Sequence, residues 1–149
     1  NAAFLQEIKQ DSVELRQLLE ETSTRLLKGR PRLHDAREMV ELLGRLRDQL
    51  AIHFSLEEAF GYFDDAVEVA PRLSERAEEL RAEHELFFRD ICAICEQSEK
   101  LLYHEAAGPP MLRNIAGRFA AFYDALQQHE RRENELIMEA FDDDIGVGD

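Results

Sequence analysis

Prolines set the strongest constraint on this chain. Only four, Pro31, Pro71, Pro109 and Pro110, interrupt its 149 residues. A proline inside a helix costs about 3 kcal/mol, because it removes a backbone donor and its ring clashes with the preceding turn. The long stretches between the prolines are rich in Leu, Glu, Arg and Ala, which lose little side-chain freedom in a helix. Gly29 ahead of Pro31 and Gly108 ahead of Pro109 read as stop signals. The pattern predicts four helices, over about 3–28, 34–67, 72–105 and 110–141, with an acidic tail 142–149 that frays. Strand-like alternation is absent. Connections this short make successive helices antiparallel neighbours. The predicted fold class is all-α, a single up-down-up-down antiparallel four-helix bundle spanning 1–149.

Charge narrows the function classes. Asp and Glu number 32 against 18 Lys and Arg, a formal net charge of −14. Nucleic acid and anionic membrane surfaces require clustered Lys and Arg, so neither is an expected partner. No apolar run approaches the roughly 20 residues of a membrane span, and nothing at the start reads as a leader. Cys92 and Cys95 form a C-x-x-C inside a helical pattern without further ligands nearby; we read them as structural thiols suited to a reducing cytoplasm.

Alternating steps of three and four residues trace one face of each helix. The first segment gives Leu5, Ile8, Ser12, Leu15, Leu19, Thr22 and Leu26. The second gives Leu43, Leu46, Leu50, His53, Glu57 and Phe60. The third gives Leu73, Ala77, Leu80, His84, Phe87, Ile91 and Ile94. The fourth gives Ile115, Phe119, Phe122, Leu126, His129, Glu133, Leu136 and Ala140. Three of the five histidines and two glutamates therefore fall on otherwise apolar stripes. Counted from the break at Pro71, His53 and His84 lie within about one turn of the same height, as do His84 and His129 counted from Gly108. His53 and Glu57 stand at i, i+4, as do His129 and Glu133, so each pair shares a face within reach of one ion. An ionised Glu in a core costs several kcal/mol unless it is paired or ligates a metal. Nitrogen and oxygen donors without thiolate suit iron, manganese or zinc. A metal-free polar network is the competing reading, and it must hydrogen-bond all five groups.

The residues that carry this reading are His53-Phe54-Ser55-Leu56-Glu57-Glu58, Glu83-His84-Glu85-Leu86 and His129-Glu130-Arg131-Arg132-Glu133. In order and spacing they resemble a hemerythrin-like (HHE cation-binding) domain, over about residues 5–141. The resemblance implies a non-haem di-iron centre in which Glu57 and Glu133 bridge, His84 and His129 serve one iron and His53 the other. It implies sensing of oxygen, nitric oxide or peroxide, or iron handling, with a small diatomic or peroxide ligand. The chain departs from the family pattern in the first helix. Asp11-Ser12 stands where an Asp-His phrase is usual, and Phe88 stands where oxygen carriers have a second histidine. One ion rather than two, or zinc or manganese in place of iron, follows from that gap. A water held by Ser12 or an inward swing of Asp11 are two ways to fill it.

Other candidates are weaker. His34 and His104 read as surface residues, Glu58 as a carboxylate able to turn inward, and Tyr62 and Tyr123 as caps on the core. Ferritin-like centres use Glu-x-x-His pairs, whereas two helices here carry His-x-x-x-Glu. No nucleophile–base–orienter set and no glycine-rich phosphate loop is present. Two further readings compete with a sensing or iron-handling domain: a degenerate bundle serving as an interaction module, and peroxidase or oxidase chemistry at an open metal position.

Overall fold

In the computed structural model the described residues are 2–29, 32–59, 61, 63–103 and 108–147, with side chains placed over a narrower range at the two ends. Their backbone is helical almost throughout. Helix α1 spans Ala2–Ser23 and continues as a π-helical turn, Thr24–Lys28. A 3-10 turn, Leu33–Asp35, leads into α2, Ala36–Ala59. A short helix, α3, covers Asp64–Val69, and a second 3-10 turn, Pro71–Leu73, opens α4 over Ser74–Lys100. Helix α5 runs from Gly108 to Val147. The long helices pack in a ring, α1 on α2, α2 on α4 and α4 on α5, with α5 returning more loosely to α1. The fold is the all-α four-helix bundle that the stripes require.

The boundaries depart from expectation in four places, one of them the end of α4 at Lys100 where a helix over 72–105 is expected. Expected helix 34–67 stops at Ala59. Gly61 adopts φ +61°, a conformation that L side chains rarely take, and its carbonyl accepts the Asp64 N–H at 2.8 Å. The apolar run around Phe63 conceals this break, because it extends the helical pattern into α3. Gly108 opens α5 instead of closing a preceding helix. Pro109 and Pro110 then occupy the first turn, where a missing N–H has no intrahelical partner to lose. The tail expected to fray from 142 continues α5 to Val147. Pro31, Phe60, Tyr62 and His104 lie outside the described residues, as do the side chains of Leu5 and Ile8.

The stripe residues form the core, but the core is in two parts. One cluster holds Leu15, Leu19, Leu43, Leu46, Leu50, Phe54, Phe87, Ile91, Ile94, Ile115, Phe119, Phe122 and Leu126, among others. The other, at the α3 end, holds Phe63, Ala66, Ala70, Leu73, Ala77, Leu80, Leu136 and Ala140. Along α2, α4 and α5 the histidines and glutamates of the stripes fall between the two. Helix α3 makes this arrangement possible, because the turn at Gly61 folds Phe63 and Ala66 back over the end of α5.

A Cβ at position 61 would collide with the Asp64 side chain as well as strain the backbone. Gly61→Ala should therefore cost about 1 kcal/mol or more in urea unfolding. An unchanged midpoint would show that the turn tolerates the change.

Candidate metal centre

The five polar stripe residues are all buried: His53 is 7% exposed, Glu57 6%, His84 3%, His129 0% and Glu133 3%. They converge on one layer. His84 and His129 meet edge to face with ring centroids 5.2 Å apart. His84, His129 and Glu133 offer ligand atoms that all lie within 4.8 Å of one another, a grouping able to hold a metal ion. Glu57 lies between two rings. Its Oε1 is 2.6 Å from His53 Nε2, and its Oε2 is 3.3 Å from His84 Nε2. Glu133 presents Oε1 to His129 Nε2 at 3.3 Å and Oε2 to His84 Nε2 at 3.9 Å.

Each ring turns its other nitrogen outward, toward a carboxylate. His53 Nδ1 meets Asp11 Oδ2 at 2.7 Å, and Gln49 donates to the second Asp11 oxygen at 2.7 Å. His84 Nδ1 meets Glu58 Oε1 at 3.3 Å. His129 Nδ1 faces Glu83 Oε1 at 3.6 Å, beyond hydrogen-bond reach, while Arg132 grips both oxygens of Glu83 at 2.6 and 2.9 Å. An outer carboxylate fixes ring orientation and tautomer, leaving Nε2 for the inner face; this is the usual support of a metal-ligating imidazole.

The sequence reading missed most of this outer ring of carboxylates. Asp11 does turn inward, to 5% exposure, but onto the outer nitrogen of His53 and not into the layer. Glu58 stays exposed and backs His84 from outside. Glu83 lies off the stripe of α4, and the sequence marks it only as the residue before His84.

Five atoms in the layer have no hydrogen-bond partner: Glu57 Oε2, His84 Nε2, both ring nitrogens of His129, and Glu133 Oε2. Leaving a buried polar atom unsatisfied costs about 1–3 kcal/mol, so five together rival the total stability of a domain. Four of the five point between the rings and the inner carboxylates. Oxygen and imidazole nitrogen donors left unpaired around one point suit a cation, and the residues present fit one.

The two sides of the layer differ. Phe54 stacks on His84 at 4.2 Å and 12°, and Phe87 meets the edge of His129 at 5.1 Å, so aromatic rings close that side. On the other side a cavity of about 230 Å³ lies between α1 and α5. Ser12, His53, Glu57, Glu130 and Glu133 line its floor and walls, with Arg16, Tyr123 and Gln127 among the others. Ser12 thus faces the layer, as the stripe places it, but contributes no imidazole. Tyr123 packs on the core beside Phe119, as a cap does, and also lines the cavity. His34 is exposed and pairs with Asp35 at 3.2 Å, away from the layer. Cys92 and Cys95 are free thiols; Cys95 donates to the Leu43 carbonyl at 3.3 Å, and burial pushes it up to about 11.

Burial alone would make the imidazoles harder to protonate. The carboxylates outweigh it: Asp11 and Glu57 hold His53 up to about 10, and Glu133 and Glu57 hold His84 up to about 9. Burial likewise works against ionised Glu57, but contacts with His53 and His84 keep it well below the ordinary carboxylate range. Glu130 is raised, chiefly by burial, with His53 pulling the other way.

The family model for the hemerythrin HHE cation-binding domain matches residues 3–98, well over half of the chain. A four-helix bundle with histidines and glutamates buried in one layer is the class that fold and site define together. The chain belongs to the hemerythrin HHE cation-binding domain family. The matched segment carries His53, Glu57 and His84; His129 and Glu133 lie beyond it, and the structure brings them to the same layer. No curated protein and no solved structure matches the chain.

The metal-free protein should show the signature of these protonations. Both imidazoles bind protons more readily folded than unfolded. Their stabilisation is complete below the unfolded value of 6.5 and disappears as pH rises through about 9 and about 10. Glu57 has the opposite sign, stabilising above 4.5 and losing that contribution as pH falls. Thermal melts of metal-free protein should therefore give a falling Tm from pH 7 to 10. A Tm that stays level or rises over that range would contradict the assignment.

Proposed function

We propose that this chain is a hemerythrin-type non-haem iron domain that senses oxygen, nitric oxide or peroxide, or handles iron, through the layer of His53, Glu57, His84, His129 and Glu133. One observation carries the reading. Three buried imidazoles turn Nδ1 toward outer carboxylates and Nε2 toward Glu57 and Glu133, and most of the inward atoms have no partner. His84, His129 and Glu133 would hold one ion. His53 would hold a second, with Glu57 between the two. Iron there would supply a change of oxidation state and a coordination position open to a small diatomic or peroxide ligand. Zinc or manganese would fit the same donors.

The chain's own residues account for selectivity and access. The aromatic wall of Phe54 and Phe87 keeps water from the His84 and His129 rings. The cavity leaves the His53 side open, so a small ligand would approach past Ser12. Among the described residues no helix is long and apolar enough to cross a membrane. The free thiols of Cys92 and Cys95 support a reducing, cytoplasmic setting.

Protein loaded anaerobically with ferrous iron and desalted should retain one to two irons per chain by elemental analysis. His129→Ala or Glu133→Gln should lower that count, and loading should tighten steadily from pH 6 to 9, because the ion must displace protons that His84 and His53 hold up to about 9 and about 10. Retention of well under one iron would contradict the proposal.

Ser12 favours one rival reading, because α1 supplies no imidazole to the layer. A degenerate bundle acting as an interaction module would melt at the same temperature with and without iron. Ser12→His separates the two. It should raise iron stoichiometry or affinity if the layer binds metal, and change neither if it does not.

A further inference from the structure

The layer is short of donors on one side. His84 and His129 both serve the enclosed side, whereas His53 is the sole imidazole facing the cavity. A cation beside His53 could share Glu57 and Glu133, but a stable first-row site takes at least four donors. Ser12 is short, neutral and half-buried on the opposite wall.

Glu130 lines the cavity on that side. It precedes Glu133 by three residues on α5, a spacing that places the two side chains as neighbours on the helix surface. It lines the same cavity as Ser12, His53, Glu57 and Glu133. It is half-buried, and its carboxylate makes no hydrogen bond or ion pair among the described residues. Glu20, Glu57, Glu130 and Glu133 all face this cavity, with Arg16 as the only Lys or Arg among the lining residues. Carboxylates crowded in this way repel one another unless a cation lies among them. Glu57 and Glu133, both more than nine-tenths buried and lining this cavity, each keep one oxygen without a partner, so the carboxylates that the two positions would share still have an atom free for a cation.

We propose that Glu130 is a protein ligand of the cation position beside His53, filling the place that Ser12 leaves empty of an imidazole. The centre is then asymmetric. One position is imidazole-rich, with His84 and His129. The other is carboxylate-rich, with His53 and Glu130, and the two share Glu57 and Glu133. Oxygen donors suit harder ions, so the second position takes manganese(II) more readily than the first does. This rests on the metal-binding reading above and deepens it.

The test is anaerobic equilibrium dialysis of the full chain against manganese(II) alone, with bound metal counted by elemental analysis. The wild type should bind two ions per chain. Glu130→Gln, close to isosteric, should keep the ion that His84→Ala abolishes and bind the other at least tenfold more weakly. Ser12→His in the Glu130→Gln background should restore the second ion, which also shows that the Gln variant is folded. Two ions bound equally by wild type and Glu130→Gln would overturn the role of Glu130 and leave the metal-binding reading standing. A single ion unaffected by Glu130→Gln would overturn it as well. No manganese in the wild type would overturn the carboxylate-rich second position, while the iron count of the loaded protein decides the metal-binding reading separately.

Discussion

Five ionisable side chains share one buried layer of a small helical bundle, and the cost of removing their charges from water is the constraint on which the rest depends. An isolated buried carboxylate or imidazolium is worth several kcal/mol of destabilisation, and partial pairing does not remove it when atoms remain without partners. Each surrounding feature addresses that cost. Asp11, Glu58 and Glu83 face the outer ring nitrogens, Gln49 and Arg132 steady two of those carboxylates, and the inner oxygens and nitrogens face one another. What remains unpaired is concentrated in the centre, where a cation is the natural counterpart.

The layer also explains the bundle's architecture. It separates the apolar core into two clusters, so the α3 end needs its own packing around Phe63, Leu80 and Leu136. The break at Gly61 supplies it by folding α3 across the end of α5. The looser contact between α1 and α5 leaves the cavity, and the cavity opens on the side of the layer with fewer imidazoles. A closed aromatic wall on one side and a polar opening on the other give the two faces of the layer different solvent access. That asymmetry follows from which residues α1 supplies.

Much of this was legible in the sequence because helical periodicity is a strong signal over long segments. The described stripe residues of the second, third and fourth segments are buried, including His53, Glu57, His84, His129 and Glu133, and their convergence followed from counting heights along antiparallel helices. The break after Ala59 was not legible, since Phe63 and its neighbours carry the apolar pattern past Gly61. The start of α5 at Gly108 is ambiguous in the sequence, because glycine before proline signals a stop as readily as a first turn. The outer carboxylates are a different kind of omission. Glu83 and Glu58 lie beside the stripes, and their meaning depends on which ring of another helix they face. Asp11 held a weak clue: an acid one position before the stripe, next to the serine that breaks the pattern.

The central claim is that the layer is a cation site, and crystals of protein loaded anaerobically with iron test it most directly through anomalous scattering at the iron edge. The account predicts a peak within coordination distance of His84 Nε2, His129 Nε2 and Glu133. A map without a peak in the layer, or with iron only at surface carboxylates, would contradict it.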